Sequence, residues 1–229
     1  MQRILSSKMQ FDSQILWDEL KNKEIIGHGR EGLILKLNET ECIKVYTPHY
    51  AKHAQEEFEN YKILLNNGLF VPQPKNLVEI IIKENEAMLP GHFRGYLTGE
   101  FYLQAVTNKK VPAIIKEFIP GNTYGTKKHK GYEIDNLIQF LDDLQKAGYT
   151  FELGEAVAKN FVSTKKGTAL IDCSNMKTKE TLNKWQKNFF EKHASAYKKE
   201  VIKDLYKKLQ ENNNLTRGIC SKINSILLK

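Results

Sequence analysis

The sequence predicts an α+β fold in two lobes, on three observations. Alternating apolar and polar residues crowd the first half, helix-spaced apolar residues dominate the second, and a Pro120-Gly121 break separates the two. A chain of 229 residues with 41% hydrophobic content is long enough to bury a real core. The expected organisation is one domain: a strand-rich N-lobe over 1–119, including an N-terminal helix, and a small helical C-lobe over 120–229 that ends in basic helices.

The elements follow in order. FDSQILWDELKN carries Ile15, Leu16 and Leu20 and reads as a short amphipathic helix. KEIIGHGREGLILKLNETECIKVY alternates on both sides of Asn38-Glu39, which predicts antiparallel strands. YAKHAQEEFENYKILLNNG puts Phe58, Tyr61, Leu64 and Leu65 at helical spacing and ends at Gly68, a C-cap residue. A strand-rich region runs from Leu77 to Phe118, and GNTYGTKKHKG is a connection. From Ile134 the patterns are mostly helical, interrupted by two short strands within GYTFELGEAVAKNFVSTKKGTALIDCSN, residues 148–175.

Composition excludes several classes. No apolar run approaches the roughly 18 residues of a transmembrane span, and MQRILSSKMQFDSQ lacks the apolar core of a secretory signal peptide. Cys42, Cys173 and Cys220 are too few and too scattered for a disulfide framework or a zinc site, which points to a reducing, cytoplasmic compartment or to export without a cleaved signal. The net charge is +8, and Lys165–Lys229 holds fifteen Lys or Arg against six Asp or Glu. That region, with Lys198, Lys199, Lys207 and Lys208, is either a docking face for an acidic partner or anionic surface, or a solvated helix face. Nothing in it reads a nucleic-acid sequence.

Four features carry chemistry. Gly27, Gly29 and Gly32 let backbone approach phosphates without Cβ interference, and the strand-like LILKL that follows favours a β-hairpin flap over a nucleotide, or an ordinary turn, rather than a dinucleotide site. Lys44 stands in an otherwise apolar strand, so its amine needs an anionic partner unless it snorkels from an edge. Glu57, on the following helix, is the best carboxylate for it, although Glu56 and Glu59 flank it and a solvent-facing position is the alternative. Asn160 and Asp172, a short hairpin apart, each offer an oxygen to a hard cation, or form a polar turn and a strand end.

Taken in order (glycine flap, strand lysine, helix glutamate, hinge, loop Asn, strand-end Asp), these residues resemble the protein-kinase-like superfamily. EEFENYKILLNNGLFVPQP resembles the helix-to-strand segment of atypical RIO-type kinases, and IIKEFIPG resembles a kinase hinge. GEAVAKNFVSTKKGTALIDCS is similar to the catalytic-loop segment of lipopolysaccharide core heptose kinases. The length is that of minimal bacterial effector kinases, which adds secretion into a host cell to the expected locations.

The resemblance implies ATP and Mg²⁺ as cofactors. Gly27, Gly29 and Gly32 are implied in the phosphate flap, Lys44 on the α- and β-phosphates with Glu57 as its partner, Glu117 and Phe118 beside adenine, and Asn160 and Asp172 on the metal. Cys173-Ser174 departs from the usual DFG sequence. The catalytic loop departs further: the family's Asp, five residues before the metal-binding Asn, is here Glu155, preceded by Leu153-Gly154 without a His, and Glu152 is a second candidate base. A carboxylate displaced by ~1 Å can cost on the order of 100-fold in rate. The expected function is phosphotransfer to a hydroxyl, first a protein Ser/Thr and next a sugar on an anionic glycolipid. The alternatives are a pseudokinase binding module and a kinase fold performing another transfer.

Overall fold

The computed structural model describes residues 9–29, 31–82, 110–126, 128–153, 157–179 and 190–228. The chain divides into two compact units, Met1–Glu59 with Gln73–Phe118 and Asn60–Pro72 with Ile119–Lys229. The fold is α+β, with the larger sheet in the first unit and most of the helical residues in the second.

Among the described residues of the first unit, six strands form one sheet: β1 (Ser13–Leu16), β2 (Ile25–His28), β3 (Gly32–Lys36), β4 (Glu41–Tyr46), β5 (Pro74–Ile81) and β6 (Lys110–Glu117), in the order β1-β5-β6-β4-β3-β2. The strands β2, β3 and β4 form an antiparallel meander, β6 runs antiparallel to both β4 and β5, and β1 joins β5 in parallel. Period-2 alternation sorts the side chains. Leu33, Leu35, Ile43, Val45, Val78, Ile80, Val111 and Ala113 pack with Trp17 and Leu20. The alternate residues Tyr46, Leu77 and Ile114 instead pack with Ala54 and Phe58 of α2 (Ala51–Asn66). Lys44 and Lys116 share the parity of Tyr46 and Ile114, so they face that helix.

The N-terminal segment differs from the helix its pattern predicts. Ser13–Leu16 is strand β1, and only Trp17–Leu20 forms a helix, α1. Four residues of helix gain little against the cost of nucleation, whereas an extended Ser13–Leu16 pairs in register with Val78–Ile81 and packs Ile15 against the sheet core. Tertiary pairing overrides the periodicity.

Helix α2 ends as Gly68 predicts. Gly68 has φ +75, its N–H donates to Leu65 O at 2.9 Å, and Leu69 N–H donates to Leu64 O at 3.0 Å, the paired bonds of a Schellman cap.

The second unit holds α3 (Gly131–Lys146), α4 (Phe190–Glu211) and α5 (Arg217–Leu227). It also holds two small antiparallel sheets. One is β7 (Asn122–Thr123), β9 (Phe161–Thr164) and β10 (Gly167–Leu170), and the other is β8 (Tyr149–Phe151) with β11 (Met176–Thr178). The β8–β11 ribbon lies outside the two strands read from the sequence. Its three-residue strands are too short to alternate visibly. The core gathers Leu137, Leu141, Phe161, Leu170, Val201 and Leu205, joined by Tyr61 and Leu64 from the last turns of α2. Gly121 has a structural reason for its identity, because a Cβ there meets Ser163 O at 2.4 Å.

A buried polar cluster ties the start of α3 to this core. Tyr124 donates to Glu133 O at 2.6 Å, Ser163 Oγ donates to Glu133 Oε1 at 2.5 Å, and His129 stacks on Tyr124 at 4.7 Å. Burial pushes the Tyr124 hydroxyl up to about 12. Burial also pushes His129 below its ordinary value of 6.5, despite Glu133 Oε2 lying 3.8 Å from Nδ1. A depressed folded-state value means stability that is present above about pH 6.5 and is lost as pH falls toward the folded value. Urea midpoints are therefore expected to fall between pH 7.5 and pH 5.5, and His129→Phe, which keeps the stack, is expected to flatten that fall. An unchanged slope in the variant assigns the acid sensitivity elsewhere.

Candidate functional site

In the first unit the chemistry gathers where β4 and β6 face α2. Lys44 is buried, and its Nζ donates to Glu57 Oε2 at 2.6 Å and to Glu31 Oε2 at 3.1 Å. Glu57 is 0% exposed. Its Oε2 also accepts the Tyr46 hydroxyl, and its Oε1 accepts from Lys116 Nζ at 3.2 Å. Glu31 reaches the group from the β2–β3 turn, and its Oε1 lies 3.0 Å from His53 Nδ1 on α2. Each charge in this apolar setting thus meets an opposite one, the condition for keeping ions out of water.

The order of parts decides the fold type. A strand lysine paired with a glutamate of the following helix, behind a glycine-bearing hairpin, is the N-terminal arrangement of protein kinases. The fold is protein-kinase-like.

The three glycines differ in what surrounds them. Gly32 lies opposite Tyr46, and a Cβ there would stand 2.0 Å from Val45 O, so the sheet itself demands glycine. Gly27 would bring a Cβ 3.3 Å from Ile34 Cδ1. Gly29 has nothing within 4 Å of an added Cβ, and its N–H closes the turn on Gly32 O at 2.9 Å. Glu117 ends β6, and its N–H donates to Gln73 O at 2.9 Å. The Phe118 N–H donates to Thr40 O at 2.8 Å, and Lys36 Nζ lies 5.5 Å from the Phe118 ring centre. Both amides expected beside adenine are therefore bonded within the unit. Cys42 is buried, which raises its thiol and leaves it a structural rather than a reactive group.

In the second unit, the β9–β10 hairpin pairs Phe161 with Leu170 and brings its two ends together. Asn160 immediately precedes β9 and Asp172 follows β10 by two residues. The Ile171 N–H donates to Asn160 O at 2.8 Å, tying the two segments. Tyr61 and Asn60 hold the same strand end: the Tyr61 hydroxyl donates to Ile171 O at 2.5 Å, and Asn60 Nδ2 donates to Cys173 O at 2.9 Å. Asp172 Oδ1 accepts from Ser174 N at 3.2 Å and Ser174 Oγ at 2.9 Å. Ser174 thus helps to orient the Asp172 carboxylate.

Glu155, with Gly154, lies outside the described residues. Glu152 is exposed and pairs with Lys177 at 3.2 Å. Just after the Glu155 segment, the Ala158 N–H donates to Asp204 Oδ2 at 2.7 Å, and Lys208 Nζ meets the same oxygen at 2.6 Å. A carboxylate on α4 therefore anchors the loop that leads into Asn160. Lys198 pairs with Asp142 at 2.5 Å and Lys207 with Glu211 at 3.9 Å. Three of the four lysines named for an acidic partner are thus balanced by their own acids. Among the described residues no helix is long and apolar enough to cross a membrane.

Sequence reasoning did not name Glu31, Lys116, Tyr46 or Asp204. Tyr46 and Lys116 carried a signal, since strand parity places them beside Lys44 and Ile114. Glu57 carried one too: it falls three residues after Ala54 and four before Tyr61, on the buried stripe of α2. Glu31 sits in a turn and Asp204 on a charged helix, where no pattern marks either.

No family model matches the sequence, and no curated protein is matched by it. Among solved structures the chain is similar to the Lpg2603 kinase of Legionella pneumophila bound to IP6, at 12% identity and a TM-score of 0.46, over 86% of this chain and 71% of that one. It is similar to WaaP in complex with acyl carrier protein, at 11% identity and a TM-score of 0.45, over 91% and 90%. It is also similar to the Rio2 kinase of Chaetomium thermophilum in an ADP/Mg²⁺-phosphoaspartate complex, at 14% identity and a TM-score of 0.42, over 88% and 68%.

The glycine surroundings generate a prediction. Gly32→Ala is expected to lower stability in urea by about 1–3 kcal/mol, the usual cost of overpacking, whereas Gly29→Ala is expected to stay within about 0.5 kcal/mol. Equal losses in the two variants would contradict the close β3–β4 approach at Gly32.

Proposed function

We propose that the chain is an ATP- and Mg²⁺-dependent phosphotransferase acting on a hydroxyl, first of all a protein Ser/Thr. The observation that carries the reading is the buried Lys44–Glu57 ion pair behind the Gly27–Gly32 hairpin. A lysine amine held this way is oriented before any ligand arrives, and pre-oriented charge is where phosphoryl transfer gains most. In this reading Lys44 takes the α- and β-phosphates, with Gly29 the glycine free to approach them closely. Asn160 and Asp172 are the metal ligands. Their amide and carboxylate oxygens suit a hard cation, and the β9–β10 hairpin ends support their pairing. A bound Mg²⁺ supplies charge neutralisation on the phosphates. Glu117 and Phe118 flank the adenine in this proposal by side chain rather than by amide, since both amides are bonded elsewhere.

Glu155 is the proposed base that orients the acceptor hydroxyl. Asp204 is a positioning residue, because it holds the Ala158 amide between Glu155 and Asn160. A sugar hydroxyl on an anionic glycolipid is the second choice of acceptor. The thiols of Cys42, Cys173 and Cys220 suit a reducing location, the cytoplasm of the producing cell or of a host. A second reading, a pseudokinase that binds nucleotide without transfer, is favoured by the catalytic loop, in which Glu155 replaces the family's Asp and no His precedes it.

Two measurements test these readings. ATP with Mg²⁺ is expected to raise the melting temperature, in line with about 2.7 kcal/mol at a hundredfold excess over Kd, and Lys44→Met or Asp172→Asn is expected to abolish the rise while the apo protein stays folded. No rise in the wild-type protein at millimolar ATP removes the nucleotide site. Intact-mass analysis with ATP, Mg²⁺ and a Ser/Thr peptide panel then reads transfer. Glu155→Gln is expected to lower turnover far more than ATP affinity. Transfer indifferent to Glu155→Gln but lost in Glu152→Gln moves the base to Glu152. Nucleotide binding with no transfer in any form leaves the pseudokinase.

A further inference from the structure

The buried network holds one carboxylate that the proposed phosphotransfer does not use. Glu57 divides its two oxygens between Lys44 and Lys116, at 2.6 Å and 3.2 Å, and its Oε2 also takes the Tyr46 hydroxyl. Lys44 has a further contact, Glu31 Oε2 at 3.1 Å, from the glycine turn itself. Glu31 and Glu57 thus both contact the Lys44 ammonium. We propose that Glu31 is a resident anion: it occupies the phosphate-accepting side of Lys44, a nucleotide must displace it, and it thereby sets the threshold for nucleotide binding. This inference rests on the reading that Lys44 receives phosphates.

Displacement is structurally cheap. The Glu31 backbone is pinned independently of its side chain, since its carbonyl accepts the Thr47 N–H at 2.8 Å and the turn is closed by Gly29 N on Gly32 O. Rotation about the side-chain bonds therefore frees Lys44 without opening the sheet. His53, whose Nδ1 lies 3.0 Å from Glu31 Oε1, is the second anchor to be released. Displacement is also required, because Lys44 already carries the Glu57 carboxylate, and a second carboxylate together with a phosphate crowds three anions around one ammonium where water is scarce. The apparent affinity then equals the intrinsic affinity multiplied by the fraction of molecules in which Glu31 has turned away. If Glu31 holds Lys44 in about nine molecules of ten, nucleotide binding is about tenfold weaker than the site allows.

Calorimetric titration of the full chain with Mg²⁺-ATP, and with pyrophosphate in the absence of Mg²⁺, tests this. Glu31→Gln removes the charge and keeps the shape, and is expected to tighten both ligands about tenfold. Adding Lys44→Met is expected to abolish the gain. Glu31→Asp keeps the charge but shortens the reach, and is expected to tighten binding as well, which covers a glutamine variant that fails to fold. Wild-type binding that is unchanged or weakened in the folded variants, with only their apo melting temperature lowered, makes Glu31 a structural partner and overturns the inference while leaving the nucleotide site standing. No binding by the wild-type protein or either Glu31 variant overturns the nucleotide reading, and this inference with it.

Discussion

The carboxylate of Glu57 is the constraint on which the first unit depends. It is fully buried and meets two ammonium groups and a hydroxyl contributed by β4 and β6. Removing a single partner from such a group leaves a buried charge uncompensated, at a cost of about 3–5 kcal/mol, whereas replacing the whole set with apolar side chains of similar volume is often neutral. Stability alone therefore gives no reason to keep the network. What it supplies is register: α2 can pack on the sheet at only one rotation and one height if Glu57 is to reach both lysines. The apolar contacts of Ala54 and Phe58 with Leu77 and Ile114 tolerate small slips, and the carboxylate does not.

A comparable economy governs the second unit. Asn160 and Asp172 are placed by backbone pairing, and the side chains that secure the pairing come from elsewhere in the sequence: Asn60 and Tyr61 on the last turns of α2, and Asp204 on α4. Each contacts a main-chain group: Cys173 O, Ile171 O and the Ala158 N–H. Ser174, two residues on, contributes to the orientation of the Asp172 carboxylate.

Much of this was legible from residue pattern, and the illegible parts share a physical cause. The β3–β4 hairpin, α2 with its Gly68 cap and the β9–β10 hairpin were readable because their periodicity and turn chemistry act within a few residues. Lys44 stood out as a charge in an apolar strand. Strand β1 was misread as helix because Ile15, Leu16 and Leu20 suit either form, and the choice falls to Val78–Ile81, more than sixty residues away. Glu31 and Asp204 go unmarked in the sequence for the same reason. Their significance lies in partners brought together by the fold, and an acidic or basic residue in a turn or on a helix is ordinary until its partner is known.

The charge balance around Lys44 bears on how far a kinase fold can drift. Phosphoryl transfer asks little covalent chemistry of the protein and much positioning of opposite charge, so the residues least free to change are those that hold the cations and anions in place. In the proposed reading these are Lys44, Glu57 and their neighbours, which are buried and paired with one another. In the same reading the base position is held less tightly by physics, since a carboxylate one methylene longer can serve if the backbone recedes by a comparable distance. A chain that retains the first set and varies the second keeps the costly part of the site. In the proposed phosphotransfer reading, that ordering of constraints accounts for a sequence that keeps the strand lysine and helix glutamate, Lys44 and Glu57, while placing Glu155 where protein kinases have aspartate.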